Sequence, residues 1–150
     1  MISKRTKYAL NALVYLANQP AEKPIPINEI ADSEKISRKF LEAILLELRR
    51  GGMVYSKKGK EGGYCLAKSA EEVNVAEVMR LFDGPIALLP CVSYKYYQRC
   101  DECRDEATCG IRKIFAELRA QTVNTLKNAT LAEIVKRSKS DDVVVQNDNL

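Results

Sequence analysis

The chain has 150 residues, 46% of them hydrophobic, which suffices for one core of ordinary size or two small lobes. Its net charge of +4 is unevenly spread: residues 1–69 hold 13 Lys and Arg against 7 Asp and Glu, residues 70–150 hold 11 against 13, so the first half suits a polyanion. The apolar run at residues 8–17 is too short to span a bilayer and no secretory signal precedes it, so the expectation is a cytoplasmic protein, where clustered thiols serve as ligands or reactive groups more often than as structural disulfides.

Residues 4–18 are good helix formers with little polar surface, which predicts a mostly buried first helix. Pro20, Pro24 and Pro26 punctuate a loop, after which Ile27, Ile30 and Ala31 recur at helical spacing up to a polar turn at 32–35. Ser37 is a good N-cap, and Ile36 with Leu41 makes a hydrophobic staple, so a further helix starts here with the apolar stripe Leu41, Ile44, Leu45 and Leu48. Its outward face carries Arg38, Lys39, Glu42, Ala43 and Arg49, and the start of the second helix of a helix-turn-helix is what reaches base edges. Gly51-Gly52 closes that helix. Strand-like segments at 53–57 and 63–67 then read as a hairpin wing whose tip carries Lys57, Lys58 and Lys60.

A helix at 75–82 carries Val75, Val78, Met79 and Phe82 and ends at Asp83-Gly84-Pro85. Beyond it stand four of the five cysteines, Cys91, Cys100, Cys103 and Cys109, spaced C-x8-C-x2-C-x5-C among charges and tyrosines in a chain without histidine. The pattern reads as a metal site or a redox switch, and the odd cysteine count argues against a fully paired disulfide framework. From 108 to 127 the stripe Ile111, Ile114, Phe115, Leu118, Thr122 and Leu126 predicts a long helix that needs a partner surface, either its own domain or a second copy. A short helix at 131–137 precedes a polar tail that should fray, although Val143 to Val145 could dock. The expected fold is mainly α: a winged helix-turn-helix DNA-binding domain with a small β-hairpin wing over 1–84, a cysteine-containing sensor loop over 85–107, a long helix, for packing on its own domain or as a dimerisation helix, with a short helix over 108–137, and the tail 138–150.

Three motifs then coincide: IS-x-x-x-LE-x-I-x-x-x-LR-x-G from Ile36, V-x-S-x-K-G-x-x-GGY-x-L from Val54 and V-x-EV from Val75, flanked by TKYALNALVYLA and CGIRKIFAELR. Together they resemble the Rrf-two family of winged-helix transcriptional regulators over nearly the whole chain. The resemblance implies a homodimer on a roughly palindromic double-stranded DNA operator, with many members holding an iron-sulfur cluster on three cysteines between wing and dimer helix. It places Ser37, Arg38, Lys39, Phe40 and Glu42 at the start of the recognition helix, although Phe40 could equally belong to the core. Lys58 stands where relatives often have a wing arginine, and Lys60-Glu61 replaces a frequent Pro-Gly.

The cysteine site departs most from that pattern. The family's usual fourth ligand, a histidine after the last cysteine or an acidic residue in the first helix, is missing, and the matching helix positions read Lys7 and Asn11. A fourth cysteine, either Cys91 or Cys100, fills that place, and four thiolates complete either common cluster. Structural zinc, or no metal at all, are the alternatives, although zinc motifs usually show two close cysteine pairs. The expected function is therefore a regulator sensing iron-sulfur status, redox state or nitric oxide. The alternatives are a metal-free regulator controlled by a protein partner or thiol oxidation, and a thiol-disulfide enzyme built on Cys100-x2-Cys103, which lacks the preceding strand and base that such chemistry uses. Cys65 reads as a small buried side chain.

Overall fold

The computed structural model describes residues 1–140; the segment Val143 to Val145 lies outside them. The described residues form α1 (Lys4–Ala17), α2 (Ile27–Glu34), α3 (Arg38–Arg50), β1 (Val54–Lys57), β2 (Gly63–Leu66), α4 (Val75–Phe82), α5 (Gly110–Asn128) and α6 (Leu131–Ser138), with a 3-10 turn at Pro90–Val92. None of these helices is long and apolar enough to cross a membrane.

Side chains cap most helix starts. Ser3, Ser37, Asn74 and Thr130 each accept the backbone N–H three residues on, at 3.1–3.4 Å, satisfying donors that the helix leaves unpaired. The start of α1 gains a second partner, because Asp83 Oδ2 accepts from Ser3 N at 3.1 Å and from Thr6 Oγ1 at 2.8 Å. Lost hydration pushes the Asp83 carboxyl up, and the hydrogen bonds from Ser3 and Thr6 outweigh it, so its pKa falls below the ordinary value. The end of α4, from which the cysteine loop departs, is thereby tied to α1.

The α3 stripe behaves as its spacing predicts: Leu41, Ile44, Leu45 and Leu48 are fully buried with Ala9, Ala12 and Leu13 of α1 and Ile30 of α2. The turn from α2 to α3 uses a left-handed Lys35 (φ 54°), after which Ile36 N donates to Ala31 O at 3.0 Å. At the far end Gly52 takes φ 71° and lets Met53 N reach back to Leu48 O at 2.9 Å. The antiparallel wing pairs Val54 with Leu66 and Lys57 with Gly63. Ile25 adds a third edge by exchanging hydrogen bonds with Tyr64 at 2.9 and 3.0 Å. A Cβ at Gly63 would stand 2.3 Å from Ile25 O, so only glycine permits that approach.

Two helices depart from the sequence expectation in useful ways. Far from trailing the long helix, α6 returns to the first core: Leu131 is fully buried there, Leu131 N donates to Val73 O, Val75 N to Ala129 O and Ala132 N to Ala70 O, each at 3.0 Å. The long helix α5 starts at Gly110 rather than at 108, because Cys109 serves as its N-cap. None of its 19 residues is buried, and Ile111, Ile114 and Leu118 are 65%, 67% and 42% exposed.

Candidate functional site

Ser37 ends the tight turn and caps α3, its hydroxyl accepting from Phe40 N. Arg38, Lys39, Phe40 and Glu42 are all exposed there. Arg38 Nε donates to Glu42 Oε1 at 3.0 Å, which orients the guanidinium and leaves its terminal nitrogens out of that bond. Phe40 is 38% exposed and meets the Tyr8 ring edge-on at 5.7 Å, so it belongs to the rim of the core and to the surface at once.

The wing separates its lysines into two kinds. Lys58 and Lys60 are exposed on the hairpin turn, whereas Lys57 Nζ donates to Glu22 O at 3.4 Å and lies 5.9 Å from the Tyr55 ring centre. Arg49, at the other end of α3, donates to Ser56 Oγ at 3.2 Å and braces the helix against the wing. Cys65 is buried on β2 at 4% exposure and faces Tyr55 across the hairpin, where its thiol holds the Tyr55 pKa above the ordinary value.

All four loop cysteines line a single cavity of about 640 Å³ at the foot of α5. Cys91 sits in the 3-10 turn, Cys100 and Cys103 in the loop and Cys109 at the helix cap, and each is a free thiol. Cys109 Sγ accepts from Arg112 N at 3.4 Å, which sets the sulfur at the positive end of the α5 dipole, where negative charge is favoured. Cys91, Cys103 and Cys109 are half-buried and Cys100 is exposed. The Cys100 thiol donates to Glu102 Oε2 at 3.1 Å, and that carboxylate holds its pKa above the ordinary thiol value.

Around the sulfurs runs a frame of arginines and acids that residue spacing does not reveal. Arg112 Nε donates to Cys91 O at 3.3 Å and lies 3.9 Å from Glu106, while Arg99 Nη2 donates to Cys103 O at 3.1 Å and Arg104 O at 3.4 Å. The Tyr97 hydroxyl donates to Glu106, which raises its pKa. These contacts span up to 21 residues.

Among the described residues no three Cys, Asp or Glu side chains converge tightly enough to hold a single ion. Four sulfur donors lining one cavity are a donor set that zinc and iron-sulfur clusters both take.

A helix-turn-helix with a hairpin wing and an exposed basic corner defines a winged helix-turn-helix, the architecture of a DNA-binding protein. The model of the Rrf2 family, described as "Iron-dependent Transcriptional regulator", matches residues 2–137, and the chain belongs to that family. An rrf2-like HTH-type transcriptional regulator of Rhodobacter capsulatus is 44% identical over 138 residues, covering 90% of this chain and 92% of that one. The HTH-type transcriptional regulator IscR of Photorhabdus laumondii is 30% identical over 148 residues, covering 99% and 87%. The structure of CymR, the global cysteine regulator of B. subtilis, shares the fold with a TM-score of 0.76 at 24% identity, over 91% of this chain and 97% of that one.

Proposed function

We propose that this regulator acts in the cytoplasm as a homodimer on a roughly palindromic operator and senses iron-sulfur status, oxidant or nitric oxide through a cluster held by Cys91, Cys100, Cys103 and Cys109. In this reading Ser37, Arg38, Lys39, Phe40 and Glu42 meet the major groove, and Lys58 and Lys60, with Lys57 behind them, meet the flanking backbone. The exposed apolar stripe of α5 supports the dimer, since a surface bearing Ile111, Ile114 and Leu118 is stabilised by a second copy.

The observation that carries the proposal is that Cys109 is both a wall of the cysteine cavity and the N-cap of α5. When bound, an iron-sulfur cluster supplies a centre whose charge and integrity respond to oxidants, iron supply and nitric oxide. Cys109 and Arg112 transmit the state of the loop to the first turn of α5, and Asp83 fixes the other end of the loop to α1. The two recognition helices of a dimer must stand about one helical turn of DNA apart, so a small change at the foot of α5 alters their match to the operator.

Absorption spectra with iron, sulfide and zinc analysis of anaerobically purified protein test the proposal. Iron and sulfide in the native chain, with both lost in Cys103→Ser, are expected. Equal iron in the two proteins would remove Cys103 from the ligand set, and stoichiometric zinc without iron would replace the cluster.

A further inference from the structure

The loop cysteines are not equivalent in backbone geometry. Cys103 N donates to Cys100 O at 3.1 Å, closing residues 100–103 into a turn. Such a turn keeps its end α-carbons within about 7 Å, overlapping the span of about 4.4–6.8 Å that a disulfide bridges. Arg99 clamps the far side of the turn through the carbonyls of Cys103 and Arg104, and both thiols line the same cavity. Cys109 is engaged at the α5 cap, Cys91 lies in the 3-10 turn and Cys65 is buried in the wing. Cys100 is the exposed thiol of the five.

We propose that Cys100 and Cys103 form a reversible dithiol–disulfide pair oxidised by hydroperoxides. One sulfur of the pair attacks the peroxide O–O bond; an S–O bond forms, the O–O bond breaks, and a sulfenic acid results with water or an alcohol as the leaving product. The other sulfur then attacks the sulfenic acid; the S–S bond forms, the S–O bond breaks, and the hydroxyl departs as water with the second thiol's proton. Two electrons pass from the thiol pair to the peroxide, and a small dithiol reverses the change by exchange. The disulfide withdraws two of the four sulfurs from the cavity wall. It forms on the metal-free chain, so it stands or falls independently of the cluster.

The test uses the full chain, stripped of metal by chelation, treated with about one equivalent of hydrogen peroxide, alkylated and digested with trypsin. Cleavage after Arg99 and Arg104 releases residues 100–104, which contain both thiols and no other cysteine. The expected product is this peptide unalkylated and lighter by two hydrogens, returning to the doubly alkylated form after dithiothreitol, unaffected by Cys109→Ser and lost in Cys103→Ser. Cross-linked peptides joining residues 100–104 to those bearing Cys91 or Cys109 would overturn the pairing. A doubly alkylated peptide after peroxide, or only irreversible sulfonic acid, would overturn the redox pair itself.

Discussion

Single side chains in this protein join parts of the chain that lie far apart in sequence. Asp83 links α4 to α1 through Ser3 and Thr6, and its carboxyl is held below its ordinary pKa. A depressed folded-state value means that this stabilisation is complete above the unfolded value of about 3.9 and disappears as pH falls through the folded-state value. Asp83→Asn should therefore cost about 1 kcal/mol near neutrality, a charged hydrogen bond discounted for solvent screening, and nothing in strong acid; urea titrations across pH measure the difference. Arg38, oriented by Glu42, is the side chain of the proposed interface with the best-defined direction. Arg38→Ala should weaken binding and, if the arginine contacts a phosphate, lower the slope of log affinity against log salt by about 0.9; an unchanged affinity and slope would take Arg38 out of the interface.

Elements with their own punctuation were legible before the fold was seen. Ser37, the Leu41 to Leu48 stripe and Gly51-Gly52 define α3 by local rules, and the structure follows them to the residue at its cap. The wing was equally legible, since its glycines and lysines sit between two short β-type segments. What spacing could not reveal was α6 entering the first core, because its partners Val73 and Ala70 lie some sixty residues earlier and no local pattern encodes that return. The Cys109 cap was missed for a different reason: sulfur is a weak acceptor and does not figure among the usual capping residues. The role of α6 is open to measurement. Leu131→Ala should destabilise the whole winged domain by about 2–5 kcal/mol, and a loss confined to the C-terminal helix, with the rest of the unfolding transition unchanged, would contradict its place in the core.

For the whole molecule, the apolar face of α5 and the cysteine cavity at its foot stand on the same helix, so the proposed assembly and the proposed sensing share one element. Ile114→Glu sets a charge in the middle of the exposed stripe, and sedimentation should then show monomers that keep the native far-ultraviolet spectrum; an unchanged dimer would move the interface elsewhere. The central claim is that the state of the cysteine loop sets DNA affinity. It is tested most directly by measuring, at one fixed salt concentration, the affinity of anaerobically purified protein for a duplex it has itself selected from a random pool, before and after chelation of its metal. A change of about five- to 150-fold is expected, the usual range of coupling between two sites. Equal affinity in the two states would contradict it.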